Sequence, residues 1–249
     1  MTSESGNQAK TQRPLVGWMD RHFYPDSPAR NWDDQIFRQV ALKHIDKATS
    51  VLDVGAGTGR LEQLNFRRLA KKVVGVDLDQ RVLHNDALDE AHVCGGEDIP
   101  EAVRDMDVVI SVNVLEHLDN PERVFRQIHR TLKPGGKFLF KTPNATHYIA
   151  LISRLTPLAF HKYYNRLRGR DADDTFGTFY RANTASQIAS LARKTGFKVS
   201  DIRRVEWRPE YLRINAFFYP FGIVYERLVN SSEVFSPFRA VLMGTLEKK

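Results

Sequence analysis

Apolar residues recur along this chain in two rhythms. Short, nearly continuous apolar runs occupy Val51–Val54, Val73–Asp77, Val108–Val112 and Lys137–Lys141. Runs of this kind predict strands buried on both faces of a parallel sheet. Phe197–Val205 and Arg239–Leu246 predict the last two strands. Elsewhere the spacing is helical. Over Asp33–Lys47, the residues Ile36, Val40, Ala41, His44 and Ile45 share one helical face. Asp119-Asn120-Pro121 predicts a helix start, because a short polar side chain caps free N–H groups and proline suits the first turn. Val124, Ile128 and Leu132 mark the buried face of that helix, and Pro134-Gly135-Gly136 stops it. Thr184-Ala185-Ser186-Gln187 has the spacing of a capping box, followed by an apolar stripe at Ile188, Leu191 and Ala192 and a terminating Gly196. Strand and helix alternate, which predicts an open α/β sheet.

Three stretches break the rhythm. Residues 1–13 are polar and small and predict a flexible tail, leaving 14–249 as one domain. Irregular insertions are expected at about 144–182 and 208–238. Insertions at strand ends shape substrate pockets on a rigid scaffold, so both are expected to form a cap.

Composition narrows this picture in three ways. A chain of 249 residues can bury a full core without disulfides or structural metal. Its single cysteine, Cys94, leaves no disulfide framework and no paired-cysteine metal site, so no metal is expected. The net charge of +7 favours anionic partners. The longest nearly apolar run, Ile214–Tyr225, is interrupted by Asn215, Pro220 and Gly222 and falls short of the ~20 residues of a spanning helix. A cytoplasmic protein is expected, with peripheral contact at the inner face of the membrane.

The most informative residues are Val51-Leu52-Asp53-Val54-Gly55-Ala56-Gly57-Thr58-Gly59-Arg60. An apolar strand runs into a glycine loop that lets the backbone turn tightly and approach a ligand, and a helix is expected to follow. The spacing is G-x-G-x-G after an acid, not the G-x-G-x-x-G of dinucleotide loops. It resembles the "VLDVGxGxG" loop of the class I S-adenosylmethionine-dependent methyltransferases. That resemblance implies S-adenosylmethionine as cofactor, held by Gly55, Ala56, Gly57 and Gly59, with Asp53 orienting the loop or the methionine ammonium. An acid here repels diphosphate and attracts a sulfonium zwitterion. Asp77 ends the second strand about 20 residues past the loop, where a carboxylate can accept from ribose hydroxyls; Leu78 adjoins it, and Asp79 reads as a cap for the next helix.

Downstream, Gly96-Glu97-Asp98-Ile99-Pro100 resembles the family's adenine segment, although the usual aspartate falls on Gly95. Adenine contact is therefore expected from Glu97, Asp98 or backbone groups, and a surface turn is the plainer reading of these acids. Asp107–Leu118 resembles the fourth strand with its "LEH" loop, and Leu132–Phe138 the "LkPGG" turn into the fifth. The resemblance spans Leu52 to Asn144, with a weaker echo to Phe197. It implies a Rossmann-like, doubly wound seven-stranded sheet with the last strand antiparallel and helices on both faces.

Methyl transfer is an in-line displacement that depends largely on positioning. A hydroxyl acceptor gains from a base, and His117, just after the fourth strand, is the expected one. Asn113 is expected on the cofactor, and Glu116 either orients His117 or faces water. The expected substrate contacts are His147, Tyr148, His161, Tyr164, Arg166 and Arg168. They lie in Asn144–Arg170, which holds many bases and aromatics but no acid. Arg forks suit phosphate, and a basic amphipathic segment can rest on an anionic bilayer. A solvated face closed by Asp171, Asp173 and Asp174 is the plainer alternative. Ahead of the first predicted helix, Phe23-Tyr24-Pro25 and Arg30-Asn31-Trp32 either close over the cofactor, as in similar enzymes, or pack into the core.

The expected reaction is O-methylation of a hydroxyl on a sugar or on a lipid-linked, phosphate-bearing glycan, by similarity to bacterial saccharide and cell-envelope methyltransferases. Three alternatives stay open. One is a quinone or other aromatic O- or N-methyltransferase. The second is an RNA methyltransferase, although no RNA-binding module flanks the domain. The third is a non-catalytic S-adenosylmethionine-binding protein.

Overall fold

The computed structural model describes residues 14–27, 31–150 and 177–249. They divide into two compact units. Of the described residues, the larger unit comprises Asp33–Ala145, 177–204 and Val241–Lys249 and carries the sheet. The smaller gathers 14–27, 31–32, 146–150 and Val205–Ala240, from stretches that the sequence marks as lead-in and insertions.

The seven strands are β1 (Ser50–Val54), β2 (Lys72–Asp77), β3 (Glu90–Val93), β4 (Met106–Val112), β5 (Leu132–Pro143), β6 (Phe197–Val205) and β7 (Val241–Lys248). Their order is β3-β2-β1-β4-β5-β7-β6. Pairings from β3 through β5 are parallel, and β7 runs antiparallel to β5. The order reverses between β1 and β4, and the crevice beyond the carboxyl ends of these strands is where open α/β sheets bind ligands. The longer described helices are α1 (14–23), α2 (Trp32–Ala41), α3 (Pro121–Thr131), α4 (Ala185–Lys194) and α5 (Tyr219–Asn230).

Local sequence accounts for the boundaries of α3 and α4. The Asn120 side chain accepts from Arg123 N at 3.2 Å, and Pro121 occupies the first turn. In α4 the Thr184–Gln187 capping box is complete in both directions, and Gly196 closes the helix at φ +88°. One apolar cluster then binds sheet to helices, with Leu52, Val109 and Phe138 from the strands, Phe125 and Ile128 from α3, and Ile188 from α4.

Several elements differ from expectation, beginning with α2, which ends at Ala41 and not at Lys47. The helix predicted after the glycine loop is a single 3-10 turn, Glu62–Leu64. Leu61 offers no side-chain cap, and the chain turns at Asn65 to bury Phe66 completely. Strand β3 has no signature in the apolar pattern, because this edge strand is only partly buried along its four residues. The stretch 208–238, expected to be irregular, contains α5. Pro220 and Gly222 look like breakers in sequence. Yet proline costs nothing in a first turn, and Gly222 provides the space that Pro209 and Leu212 occupy.

The smaller unit has its own core of Met19, Tyr24, Ala216, Tyr219 and Ile223. Arg213 donates to both oxygens of Asp20, at 2.9 and 2.5 Å, and Tyr219 Oη donates to Asp20 at 2.7 Å, so the strand of chain before α5 is tied to α1. Trp32 is a core residue of this unit: its Nε1 donates to Arg208 O at 3.1 Å and its ring lies 6.3 Å from that of Trp207.

Candidate active site

The glycine loop leaves the carboxyl end of β1 and is held from three directions. Gly55 N and Ala56 N donate to Val76 O of β2 at 2.8 and 3.2 Å. A Cβ on Gly55, at φ +83°, would fall inside the Val114 side chain. Gly57, at φ +54°, is different: a Cβ there would meet nothing within 4 Å, so this part of the loop borders open space. Asn85 Nδ2 donates to Ala56 O at 3.1 Å and Gly57 O at 3.2 Å, with Gly59 packed against the same side chain. Asn85 has no motif around it, and sequence reading missed it.

Asp77 contributes the third tie. Its Oδ2 accepts from Gly57 N and its Oδ1 from Asp79 N, both at 2.8 Å. Each oxygen retains a lone pair for a ligand hydroxyl. Asp77 therefore shapes the loop as well as facing the expected ribose position. Asp77→Ala is expected to weaken S-adenosylmethionine by about ten- to 150-fold, the equivalent of ~1.5–3 kcal/mol for charge-assisted bonds. Calorimetry on the folded variant checks this, and an affinity within twofold of wild type would remove the assignment.

Asp53 is buried and accepts no hydrogen bond from the described residues. Burial, with the Asp77 charge nearby, pushes its carboxyl up to about 7. Two carboxylates thus meet at the loop without a cation from the described residues beside them. A ligand ammonium or sulfonium would supply the missing charge, and the open space at Gly57 would admit it. The site fits S-adenosylmethionine.

The other expected cofactor residues are placed less evenly. Leu78 stands 65% exposed beside Gly95 at the end of β2, an apolar surface near the crevice edge. Asp98 closes a turn through Asp98 N to Gly95 O at 3.0 Å and accepts from Arg123 at 2.5 Å; Glu97 lies 3.8 Å from the same guanidinium. Asp98 faces solvent, as the surface-turn reading has it. Asp79 caps a 3-10 turn, Gln80–His84, in place of a helix.

Beyond β4, Asn113 adopts φ +56° and its N–H donates to Lys141 O at 2.8 Å. Positive φ in a non-glycine residue is uncommon and tends to mark functional sites. The 3-10 turn Leu115–His117 follows. His117 Nδ1 donates to Gly177 O at 3.0 Å. A carbonyl can only accept, so in the neutral ring the lone pair resides on Nε2. Glu116 Oε1 lies 3.9 Å from that nitrogen, and Oε2 accepts from Thr142 Oγ1 at 2.9 Å. Glu116 is buried, not turned to water; burial pushes its carboxyl up, and His117 opposes that rise. Asn183 Nδ2 donates to Thr142 Oγ1 at 2.6 Å and extends the network to the start of α4.

His147 and Tyr148 belong to the smaller unit. His147 is buried in an aromatic cluster, its ring 4.2 Å from Tyr148 and 5.6 Å from Tyr225, with Nε2 3.5 Å from Glu206. Burial holds its imidazole down to about 3 and pushes Glu206 up to about 8. The expected substrate contact at His147 is thus a neutral core residue, and Tyr148 packs on it half-buried. His161, Tyr164, Arg166 and Arg168 lie outside the described residues.

A model described as "Methyltransferase domain" matches residues 21–202. The ubiquinone biosynthesis O-methyltransferase of Pseudomonas syringae pv. tomato is 29% identical over 216 residues, covering 81% of this chain and 86% of that protein. Among solved structures, the cyclopropane synthase MmaA2 of Mycobacterium tuberculosis matches with a TM-score of 0.55 at 18% identity, covering 85% of this chain and 82% of that one. A mycolic acid cyclopropane synthase complexed with SAH and CTAB matches at 0.56 and 16% identity, covering 97% and 98%. Both structures share the fold seen here.

Proposed function

The chain belongs to the class I S-adenosylmethionine-dependent methyltransferases, and on that premise we propose that it methylates an oxygen of a hydroxylated aromatic acceptor of the quinol type. The observation that carries this reading is the Glu116–His117 pair, a buried carboxylate 3.9 Å from the Nε2 of a histidine whose other nitrogen is engaged. A phenol ionises near pH ~10, far closer to imidazole than an aliphatic alcohol does, so one histidine suffices to deprotonate it.

S-adenosylmethionine, when bound, supplies an electrophilic methyl group. The chain's residues do the rest. Asp53 would receive the ammonium, Asp77 the ribose hydroxyls, and the Gly55–Gly59 loop would border the ligand. His117 Nε2 would take the acceptor proton and leave the acceptor oxygen as the nucleophile toward that methyl group. Glu116 stabilises the resulting imidazolium.

The name of the Pseudomonas relative supports a quinone-pathway acceptor over the sugar or lipid-linked glycan expected from sequence. The arginines invoked for phosphate, Arg166 and Arg168, lie outside the described residues and lend that glycan no support. Incubation with labelled S-adenosylmethionine and two pools, hydroxylated benzenoids and lipid-linked glycans, separates the readings. A methyl ether on the benzenoid is the expected product. Label confined to the glycan pool would overturn the assignment.

A further inference from the structure

The 3-10 turn that carries Glu116 and His117 is backed by two residues distant in sequence, Thr142 of β5 and Asn183 ahead of α4. Both are fully buried. The main chain sets Asn183 in place: its N–H donates to Gln187 Oε1 of the capping box at 3.1 Å, and its carbonyl accepts from Ala145 N at 2.8 Å. The side-chain amide then has one orientation. Pro143 O lies 3.1 Å from Nδ2, and a carbonyl can only accept, so the NH2 group faces Pro143 O and Thr142 Oγ1. Asn183 Oδ1 is left buried without a partner. An amide kept there with its oxygen unpaired has its N–H side in use.

Thr142 inherits this order. Its Oγ1 accepts from Asn183 Nδ2 at 2.6 Å, and its single proton has one acceptor among the described residues, Glu116 Oε2 at 2.9 Å. Oε2 therefore accepts, and a proton arriving on Glu116 can rest only on Oε1, the oxygen 3.9 Å from His117 Nε2. At the other end His117 Nδ1 donates to Gly177 O, again an acceptor only. Main-chain carbonyls thus fix both ends of the row.

We propose that Thr142 and Asn183 are positioning residues for methyl transfer, which hold Glu116 in its ionised form with Oε1 beside His117. The inference rests on the phenolic reading above, in which His117 takes the acceptor proton. Burial pushes the Glu116 carboxyl up, and His117, the residue's own N–H, Thr142 and Lys141 oppose that rise. The Lys141 ammonium is itself paired with Asp33 at 2.6 Å and with Asp34. The Thr142 hydroxyl is the opposing group that a substitution can remove without removing a charge.

Infrared spectroscopy on the free, full-length protein reads the protonated carboxyl of Glu116, with Glu116→Gln identifying its band. Thr142→Val removes the hydroxyl and keeps the side-chain shape. In this variant Glu116 is expected to hold its proton at least about tenfold more tightly, the loss of a hydrogen bond to the charged form, and so to stay neutral to higher pH. Thr142→Ser is expected to restore the wild-type titration. Thr142→Val should also lower kcat on the phenolic acceptor, by less than Glu116→Gln does, with KM for cofactor unmoved. It should add no further loss to Glu116→Gln, because it acts through that carboxylate. Asn183→Ala, which removes the donor behind Thr142, should move the titration the same way by a smaller step, and gives the comparison if Thr142→Val misfolds.

An unchanged Glu116 titration in these variants overturns the proposal. So does a kcat loss that Thr142→Val adds in full to Glu116→Gln, which would make Thr142 a packing residue only. The infrared titration needs no acceptor. Should His117→Ala keep its activity, the base reading falls, while the titration still decides whether Thr142 and Asn183 hold Glu116 ionised.

Discussion

His117→Ala is expected to lower kcat on a phenolic acceptor by ~10²–10⁴-fold, the usual cost of losing a general base. Cofactor affinity should remain intact, because none of the loop ties at Gly55, Ala56 and Gly57 runs through the imidazole. Glu116→Gln separates base from positioning partner. It keeps an acceptor for Thr142 but removes the charge beside Nε2, so kcat should fall less than for His117→Ala, with KM for cofactor unmoved. Single-turnover rates on folded variants measure both. A loss under tenfold for His117→Ala would leave His117 a positioning residue and require another group to take the proton.

Asp53→Asn is expected to stabilise the free protein and damage the cofactor site together. The folded carboxyl ionises near 7 through burial and the Asp77 charge, against about 4 in the unfolded chain. Because the folded value is the higher one, the fold binds the extra proton between those limits. Stability therefore falls as pH rises from about 4 to about 7, and the penalty is complete above 7, at ~4 kcal/mol. At pH 8 the asparagine variant should melt higher, by on the order of 10 °C. The difference should shrink on acidification and vanish near pH 4. Affinity for S-adenosylmethionine should drop about ten- to 150-fold in the variant, the loss of a charge-assisted contact. In wild type the same affinity should climb between pH 5 and 7 as Asp53 ionises. An affinity independent of pH over that range, or a variant no more stable than wild type, would contradict the role given to Asp53.

The features legible in sequence are those whose physics is confined to a few neighbouring residues. A capping oxygen reaches an N–H two or three positions on, so Asn120 and the Thr184–Gln187 box announce their helices directly. Backbone rotation through the glycine loop is likewise local, and the inner parallel strands β1, β2, β4 and β5 declare themselves because they are buried on both faces, as the edge strand β3 is not. The turn of the loop from Gly55 to Gly59 at the end of β1 could be expected on that basis.

What remained hidden depends on partners distant along the chain. Asn85 braces the loop across 28 and 29 positions, and nothing near it in sequence signals that bond. Whether Glu116 faces water or His117 turns on Thr142 of β5, which packs beside it only once the sheet forms. His147 looked like a ligand for substrate because an imidazole among aromatics suits either role. Only packing against Tyr148, Tyr225 and Glu206 shows it to be buried and neutral. The same holds for α5, where proline and glycine concealed a helix with one face in a core and one in solvent. Local rules decide which backbone a segment adopts. Burial is a property of the whole fold, and burial decides which side chains keep their charge, which find partners and which stay exposed.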